Sequence, residues 1–317
     1  MSATDPMRSC IIVRGQTLDF DKLFACDIAS PQLVAQQRTE FLENKPFEHI
    51  VIDGLFNADL LRLIGEEFPE PHDARWKNVS GKYETTYRSK CPADLGPAAQ
   101  TYFNLVNSHI FVRYLSAITD IPHLITDHSL AGGGLHETRA GGRFSVHRDF
   151  NYHHENMLAN TLVFLTYLNT DWQQEYGGAL ELWDRQRRHK VVEVEPIFGR
   201  SILFRHSKQS FHGHPTPLAP PFGRSRRSLA TYYYVNHLAR YRKVSWRTSS
   251  FLEEAGQPFL QRSTGRTLAE LGRMNLAAKL KFLVHGLTPP MLWSTGLALR
   301  DAIQNRRSLQ KQEDAHD

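Results

Sequence analysis

Two short stretches of this chain carry side chains of the kinds that bind a metal. His147-Arg148-Asp149 puts an imidazole and a carboxylate one residue apart, and His212 follows far downstream. A His-x-Asp pair at a strand end and a distal histidine can occupy one face of an iron(II) ion, leaving the opposite face open for a cosubstrate and oxygen. With 16 histidines in 317 residues the spacing alone arises easily by chance. A lone buried histidine is more often a hydrogen-bonded core residue, and a lone aspartate a turn residue. The weight of the pattern therefore rests on the segments around it.

His147 closes Gly141-Gly142-Arg143-Phe144-Ser145-Val146, a turn signal followed by a short alternating segment that reads as a strand. His212 lies in Ser210-Phe211-His212-Gly213-His214-Pro215, just after the β-rich run Ser201-Ile202-Leu203-Phe204. Between them come Thr161–Leu168, Gly178–Trp183 and Val191–Val194, each short, bounded by turn residues and rich in β-branched or aromatic side chains. An all-β scaffold would hold the ligands. His214 competes with His212, because two residues apart on a regular strand both face the same side, although Pro215 would end the pairing just after His214.

From about Pro46 to Asn236 the chain resembles the prolyl 4-hydroxylase-like branch of the iron(II)/2-oxoglutarate-dependent oxygenases. The resemblance is carried by the Gly-Gly to His-x-Asp-Phe-Asn stretch (Gly141 to Asn151), Tyr167-Leu168-Asn169-x-Asp171-Trp172, Gly177-Gly178-x-Leu180-x-Leu182-Trp183 and Arg226-Arg227-Ser228-Leu229-Ala230-Thr231-Tyr232-Tyr233, in that order. Lys45-Pro46-Phe47 through Ile52-Asp53 resembles the start of such domains. The resemblance implies a mainly β fold, a double-stranded β-helix (jelly-roll, cupin-like) core flanked by helices. It also implies Fe(2+) held by His147, Asp149 and His212, with 2-oxoglutarate and O2 as cosubstrates and ascorbate as a candidate reductant. The histidine of the Phe-His-Gly position, His212, is the one it selects. Retention of Asp149 favours hydroxylation, since related halogenases replace that carboxylate to admit chloride.

2-Oxoglutarate has a far carboxylate that needs a fixed cation inside an apolar barrel, and a guanidinium fork suits it. Among Arg224, Arg226 and Arg227, a strand that puts Ser228 and Ala230 on the face of Arg226 turns Arg227 and Leu229 away. The family resemblance also selects Arg226, and it makes Tyr167 a second cosubstrate contact. Two departures stand out. Ala230 replaces a hydroxylated residue found in some relatives, and His136, Glu137 and Thr138 stand where some relatives place a tyrosine. Arg143, Asn151 and Trp183 are expected at the substrate mouth.

Three cysteines, Cys10, Cys26 and Cys91, without a C-x-x-C spacing, argue against a disulfide framework or a structural zinc site and fit a reducing, cytoplasmic setting. No apolar run is long enough for a signal-peptide core or a membrane span. Residues 1–125 read as a helix and strand support. Within it Ser30-Pro31 starts one helix, His49–Ile52 reads as a strand, Asn57 caps a second helix, and the polar stretch from about Trp76 to Pro92 reads as an irregular loop and lid candidate. Residues 126–238 would form the barrel. Residues 239–317 form a basic extension with 13 Lys or Arg against 7 Asp or Glu. Two helices are expected there, one after the capping box Thr267-Leu268-Ala269-Glu270 and one from Pro290 to near Arg306. Such a pair could touch an anionic membrane surface, though packing on its own barrel is the commoner arrangement.

The expected function is a dioxygenase that hydroxylates an unactivated carbon of a small molecule, such as an amino acid, sugar or other metabolite, with release of succinate and CO2. The alternatives are a peptidyl or protein prolyl hydroxylase, a cupin-like oxygenase that needs no 2-oxoglutarate, and a noncatalytic metal-binding β-barrel sensor. No nucleic-acid-binding motif is present.

Overall fold

A computed structural model describes residues 9–236 of the chain. The two expected C-terminal helices, and any membrane contact made through them, lie outside the described residues. The chain opens on a hairpin of β1 (Cys10–Val13) and β2 (Gln16–Asp19). Helix α1 (Pro31–Glu43) carries Pro31 in its first turn, where the missing N–H would have had no helical partner. After β3 (His49–Asp53), helix α2 (Ala58–Glu67) starts where Asn57 Oδ1 accepts the N–H groups of Asp59 and Leu60 at 2.9 and 3.0 Å. Strands β4 (Trp76–Ser80) and β5 (Glu84–Ser89) form an antiparallel hairpin. Helices α3 (Pro97–Val106) and α4 (His109–Thr119) follow. Glu67, at the end of α2, caps α3 by accepting the N–H groups of Ala98 and Ala99, one on each carboxylate oxygen.

The rest is strand: β6 (Ile125–Thr126), β7 (Gly134–Thr138), β8 (Arg143–His147), β9 (Ala159–Tyr167), β10 (Leu180–Trp183), β11 (Lys190–Val194), β12 (Arg200–Arg205), β13 (His212–His214) and β14 (Arg226–Val235). One wall runs β7-β14-β9-β12 and is extended by β3. The other runs β8-β13-β10-β11. Strand β5 pairs with both β7 and β8 and joins the two walls along one side. The result is an antiparallel barrel of the double-stranded β-helix type, flanked by helices.

Alternation along β9 and β14 sorts the core into two clusters. Leu162 and Phe164 of β9 and Leu229 and Tyr233 of β14 face the helices, where Phe56, Tyr102 and Phe111 pack against them. Val163 and Tyr167 of β9 and Tyr232 and Tyr234 of β14 turn into the barrel beside Leu180, Ile202 and Phe204. The stretch from Trp76 to Pro92, read from sequence as an irregular loop, is instead the β4-β5 hairpin. Its inward residues Glu84, Thr86 and Arg88 are polar, so no apolar period marks the strand.

Candidate active site

Strand β8 ends at His147, and β13 lies antiparallel to it with His212 directly opposite. This close pairing depends on Gly213, where a Cβ would come within 2.8 Å of the Phe144 carbonyl oxygen and 2.9 Å of the Ser145 carbonyl oxygen. The chain leaves β8 so that Asp149 faces the same spot. His147, Asp149 and His212 each offer one ligand atom, all within 4.8 Å of one another. His147 Nε2 stands 3.5 Å from Asp149 Oδ1, and His212 Nε2 stands 3.5 Å from Asp149 Oδ2.

The tautomers follow from the backbone. His147 Nδ1 lies 2.8 Å from the Ser145 carbonyl and His212 Nδ1 lies 3.0 Å from the Ser210 carbonyl. A carbonyl only accepts, so both Nδ1 atoms carry the proton and both Nε2 lone pairs point at the cluster. Aromatic neighbours hold the rings, His147 stacked on Phe144 and His212 in tilted contact with Phe204. His147 Nε2 and Asp149 Oδ2 are buried without a hydrogen bond, as befits donors awaiting a cation. Burial pushes His212 down to about 4, keeping it neutral. Burial works to raise the Asp149 carboxyl, but the neighbouring His212 and His147 outweigh it and hold it below the ordinary carboxylate range. Two imidazole nitrogens and one carboxylate on one side of a cavity fit a divalent first-row metal with open positions.

The same cavity reaches a second charged group. Arg226 opens β14, turned inward with Ser228, while Arg227 turns outward to Glu137 and the Gly65 carbonyl. Arg226 is 5% exposed and its fork is held in place: Nε donates to the Gly178 carbonyl at 2.6 Å and Nη2 to the Tyr167 hydroxyl at 3.2 Å, with the Tyr167 ring under the guanidinium. Gly178 has a φ of +78°, and a Cβ there would meet Arg226 Cδ at 2.9 Å, so the glycine serves both the turn and the close approach. Burial pulls the Arg226 guanidinium below its ordinary value and raises the Tyr167 phenol.

Residues 133–234 match the family model of the 2OG-Fe(II) oxygenase superfamily, a span that contains His147, Asp149, Tyr167, His212 and Arg226. The matched segment belongs to that superfamily. It is a 2-oxoglutarate-dependent dioxygenase whose metal is iron(II) and whose cosubstrates are 2-oxoglutarate and O2. Among solved structures, the oxygenase is similar to a Pseudomonas putida prolyl-4-hydroxylase, at 17% identity and a TM-score of 0.45, over 63% of this chain and 99% of that one. It is similar to a Trichoplax adhaerens prolyl hydroxylase in complex with a hypoxia inducible factor peptide fragment, at 16% identity and a TM-score of 0.46, over 66% and 96% of the two chains. A third likeness, at 14% identity and a TM-score of 0.43 over 66% and 88%, is to HygX from Streptomyces hygroscopicus with nickel, 2-oxoglutarate and hygromycin B bound. No curated protein matches the chain in sequence.

His214 is outside the oxygenase's three-residue cluster. A bulge after His212 sets His214 opposite Phe144 in the wall of the same cavity, where burial and then the Arg226 charge hold it well below its ordinary value. Arg143, Asn151 and Trp183 are not brought to the cavity wall. Arg143 and Asn151 are exposed, Arg143 donating to the Lys82 carbonyl. Trp183 donates to Glu181 and borders a separate surface depression with Val146, Gln186 and Arg187. All three stand close in sequence to the cluster and barrel motifs, but they do not line the cavity that holds the cluster.

The stretch expected as an irregular lid contributes Glu84, Thr86 and Arg88 to the cavity wall instead, from strand β5. Sequence reading took His136 only as a departure from relatives, yet His136 lines the cavity too, its Nε2 donating to the Gly132 carbonyl at 3.1 Å. His206, just past β12, was missed. It is 8% exposed, both ring nitrogens lack a partner, and it lies within electrostatic reach of Asp149. The alternating Glu84-x-Thr86-x-Arg88 was the available signal for β5.

Among the described residues no helix is long and apolar enough to cross a membrane, and Cys10, Cys26 and Cys91 are free thiols.

Proposed function

We propose that His147 and His212 bind iron(II) through Nε2 and Asp149 through its carboxylate, that Arg226 with Tyr167 anchors the far carboxylate of 2-oxoglutarate, and that the reaction is hydroxylation of a small molecule in the cytoplasm. The observation that carries this reading is the sharing of one cavity by the three-residue cluster and a buried, preoriented guanidinium. Bound iron(II) supplies oxygen activation, coupled to oxidative decarboxylation of 2-oxoglutarate to succinate and CO2.

The protein's own part is positional. The Ser145 and Ser210 carbonyls hold the two imidazoles in the tautomer that presents Nε2. The Gly178 carbonyl and the Tyr167 hydroxyl aim the Arg226 fork, so a carboxylate meets donors already in place and loses little freedom on binding. A dianion also relieves the cost of keeping that guanidinium buried. Val163, Leu165, Leu180 and Phe144 supply apolar walls that limit water beside the metal. Retention of Asp149 supports hydroxylation, as a third protein ligand leaves no place for a halide.

Iron(II) titration by equilibrium dialysis under anaerobic conditions tests the ligand set. The expected result is one ion per chain for the wild type and at least a hundredfold weaker binding for Asp149→Ala and His212→Ala. Unchanged binding in both folded variants would remove the assignment, whereas loss of iron on His214→Ala with retention on His212→Ala would move the distal ligand to His214.

A further inference from the structure

Strand β5 lies outside the span matched by the family, yet it puts an ion pair into the wall of the reaction cavity. Arg88 Nη2 donates to Glu84 Oε1 at 2.5 Å, and the Thr86 hydroxyl donates to the same oxygen. The Arg88 guanidinium lies over the Phe144 ring, its carbon 5.5 Å from the ring centre, and Phe144 in turn stacks on His147. Both charged side chains are largely withdrawn from solvent, with relative exposures of 26% for Arg88 and 14% for Glu84. Arg88 Nε is buried and donates to no protein atom. Glu84 Oε2 accepts from none among the described residues.

Stability does not account for this pair. A buried ion pair is seldom better than apolar residues of similar volume, and the register of β5 is already set by its backbone pairing with β4, β7 and β8. The cosubstrate does not need it either, since Arg226 serves the far carboxylate and the metal takes the other end. Charge in the cavity also balances without it. A divalent ion, Asp149, Arg226 and a dianionic cosubstrate sum to zero, and Glu84 and Arg88 sum to zero. A ligand with net charge would upset that balance in a poorly solvated site, whereas one with separated opposite charges would not.

We propose that Arg88 and Glu84 select the primary substrate, a small zwitterion whose carboxylate meets Arg88 and whose ammonium meets Glu84. A free α-amino acid is the simplest member of that class. The inference rests on the oxygenase reading above and specifies the substrate of the same site. Arg88 provides a guanidinium donor with no protein partner for the carboxylate, and Glu84 a carboxylate oxygen with no protein partner for the ammonium. An amino acid held at both ends would present its side chain at a fixed position relative to the metal, as hydroxylation of an unactivated carbon demands.

The test uses the full chain loaded with iron(II) and 2-oxoglutarate without oxygen, and reads ligand affinity by calorimetry. The probes are the common amino acids, their N-acetyl derivatives, their methyl esters and neutral hexoses. At least one amino acid is expected to bind, with its N-acetyl derivative and its methyl ester each at least tenfold weaker. In Arg88→Met the discrimination against the ester disappears, and in Glu84→Gln the discrimination against the N-acetyl derivative disappears. Arg88→Met should weaken 2-oxoglutarate binding less than Arg226→Met does. Tighter binding of a hexose or a capped derivative, binding of no amino acid, or wild-type selectivity in both variants would overturn the proposal. If iron and 2-oxoglutarate still bind under those outcomes, the oxygenase reading stands and only the substrate assignment fails; if they do not, both fail.

Discussion

Each imidazole of the cluster is oriented by the backbone two residues before it. Ser145 and Ser210 supply the carbonyls that take the Nδ1 protons of His147 and His212, which leaves each Nε2 facing the three-residue cluster. Arg226 is prepared in the same manner by Gly178 and Tyr167. Replacing Arg226 by Ala should raise the Kd for 2-oxoglutarate by at least a hundredfold, because a charge-assisted pair in a buried site is lost. Tyr167→Phe removes one neutral donor and should raise it about three- to tenfold, on the order of 1 kcal/mol. Calorimetry on iron-loaded protein without oxygen measures both, and equal effects would contradict the division of labour. His147-x-Asp149 was legible in the sequence because its two donor side chains are nearly adjacent. Spacing alone did not choose between His212 and His214, because both lie on one face of a regular strand; the resemblance of Phe211-His212-Gly213 to the family motif did, and the register shift between the two histidines separates their positions.

At the scale of elements, the site depends on two close approaches made by glycine. Gly213 lets β13 lie against β8, and Gly178 lets the β10 side of the barrel close on Arg226. Gly213→Ala should cost about 1–3 kcal/mol of stability by overpacking against backbone atoms that cannot swing aside. It should also weaken iron binding, since His212 moves with its strand. Denaturant unfolding of apoprotein beside iron titration checks both, and a stable variant with wild-type iron affinity would show that the approach is not needed. Most barrel strands were legible from β-branched and aromatic runs bounded by turns. Strand β5 was not, because its inward face carries Glu84, Thr86 and Arg88 against a cavity, so the usual apolar alternation is absent. The same polarity that hid the strand marks its place in substrate selection.

For the whole molecule, several histidines are kept neutral inside or beside the barrel. Burial, then the charge of Arg88, pushes His136 down to about 3, and burial lowers His49. In the unfolded chain each would titrate near its ordinary value of 6.5. Between that value and the folded one the unfolded state binds more protons, so stability is full above about pH 6.5 and is lost as pH falls. Apoprotein should therefore become progressively less stable from about pH 6.5 downward. His136→Gln should flatten that slope by up to about 1.4 kcal/mol per pH unit. Denaturant midpoints measured across this range decide it, and a slope unchanged by the substitution would count against a neutral His136.

The division into a helix-packed face and a reactive interior was readable only in part. Family motifs marked the interior, but the packing of α3 and α4 on β9 and β14 involves residues far apart in sequence, such as Tyr102 donating to Thr166 at 2.8 Å. The central claim, that this interior couples iron and 2-oxoglutarate for oxidation, is tested most directly by succinate formation in air. Full-length protein with iron(II), 2-oxoglutarate and the amino-acid panel should form succinate as oxygen is consumed, His212→Ala should form none, and Arg226→Ala should need far more 2-oxoglutarate. Wild-type protein that binds iron and 2-oxoglutarate yet forms no succinate, or His212→Ala that forms as much as the wild type, would contradict the account.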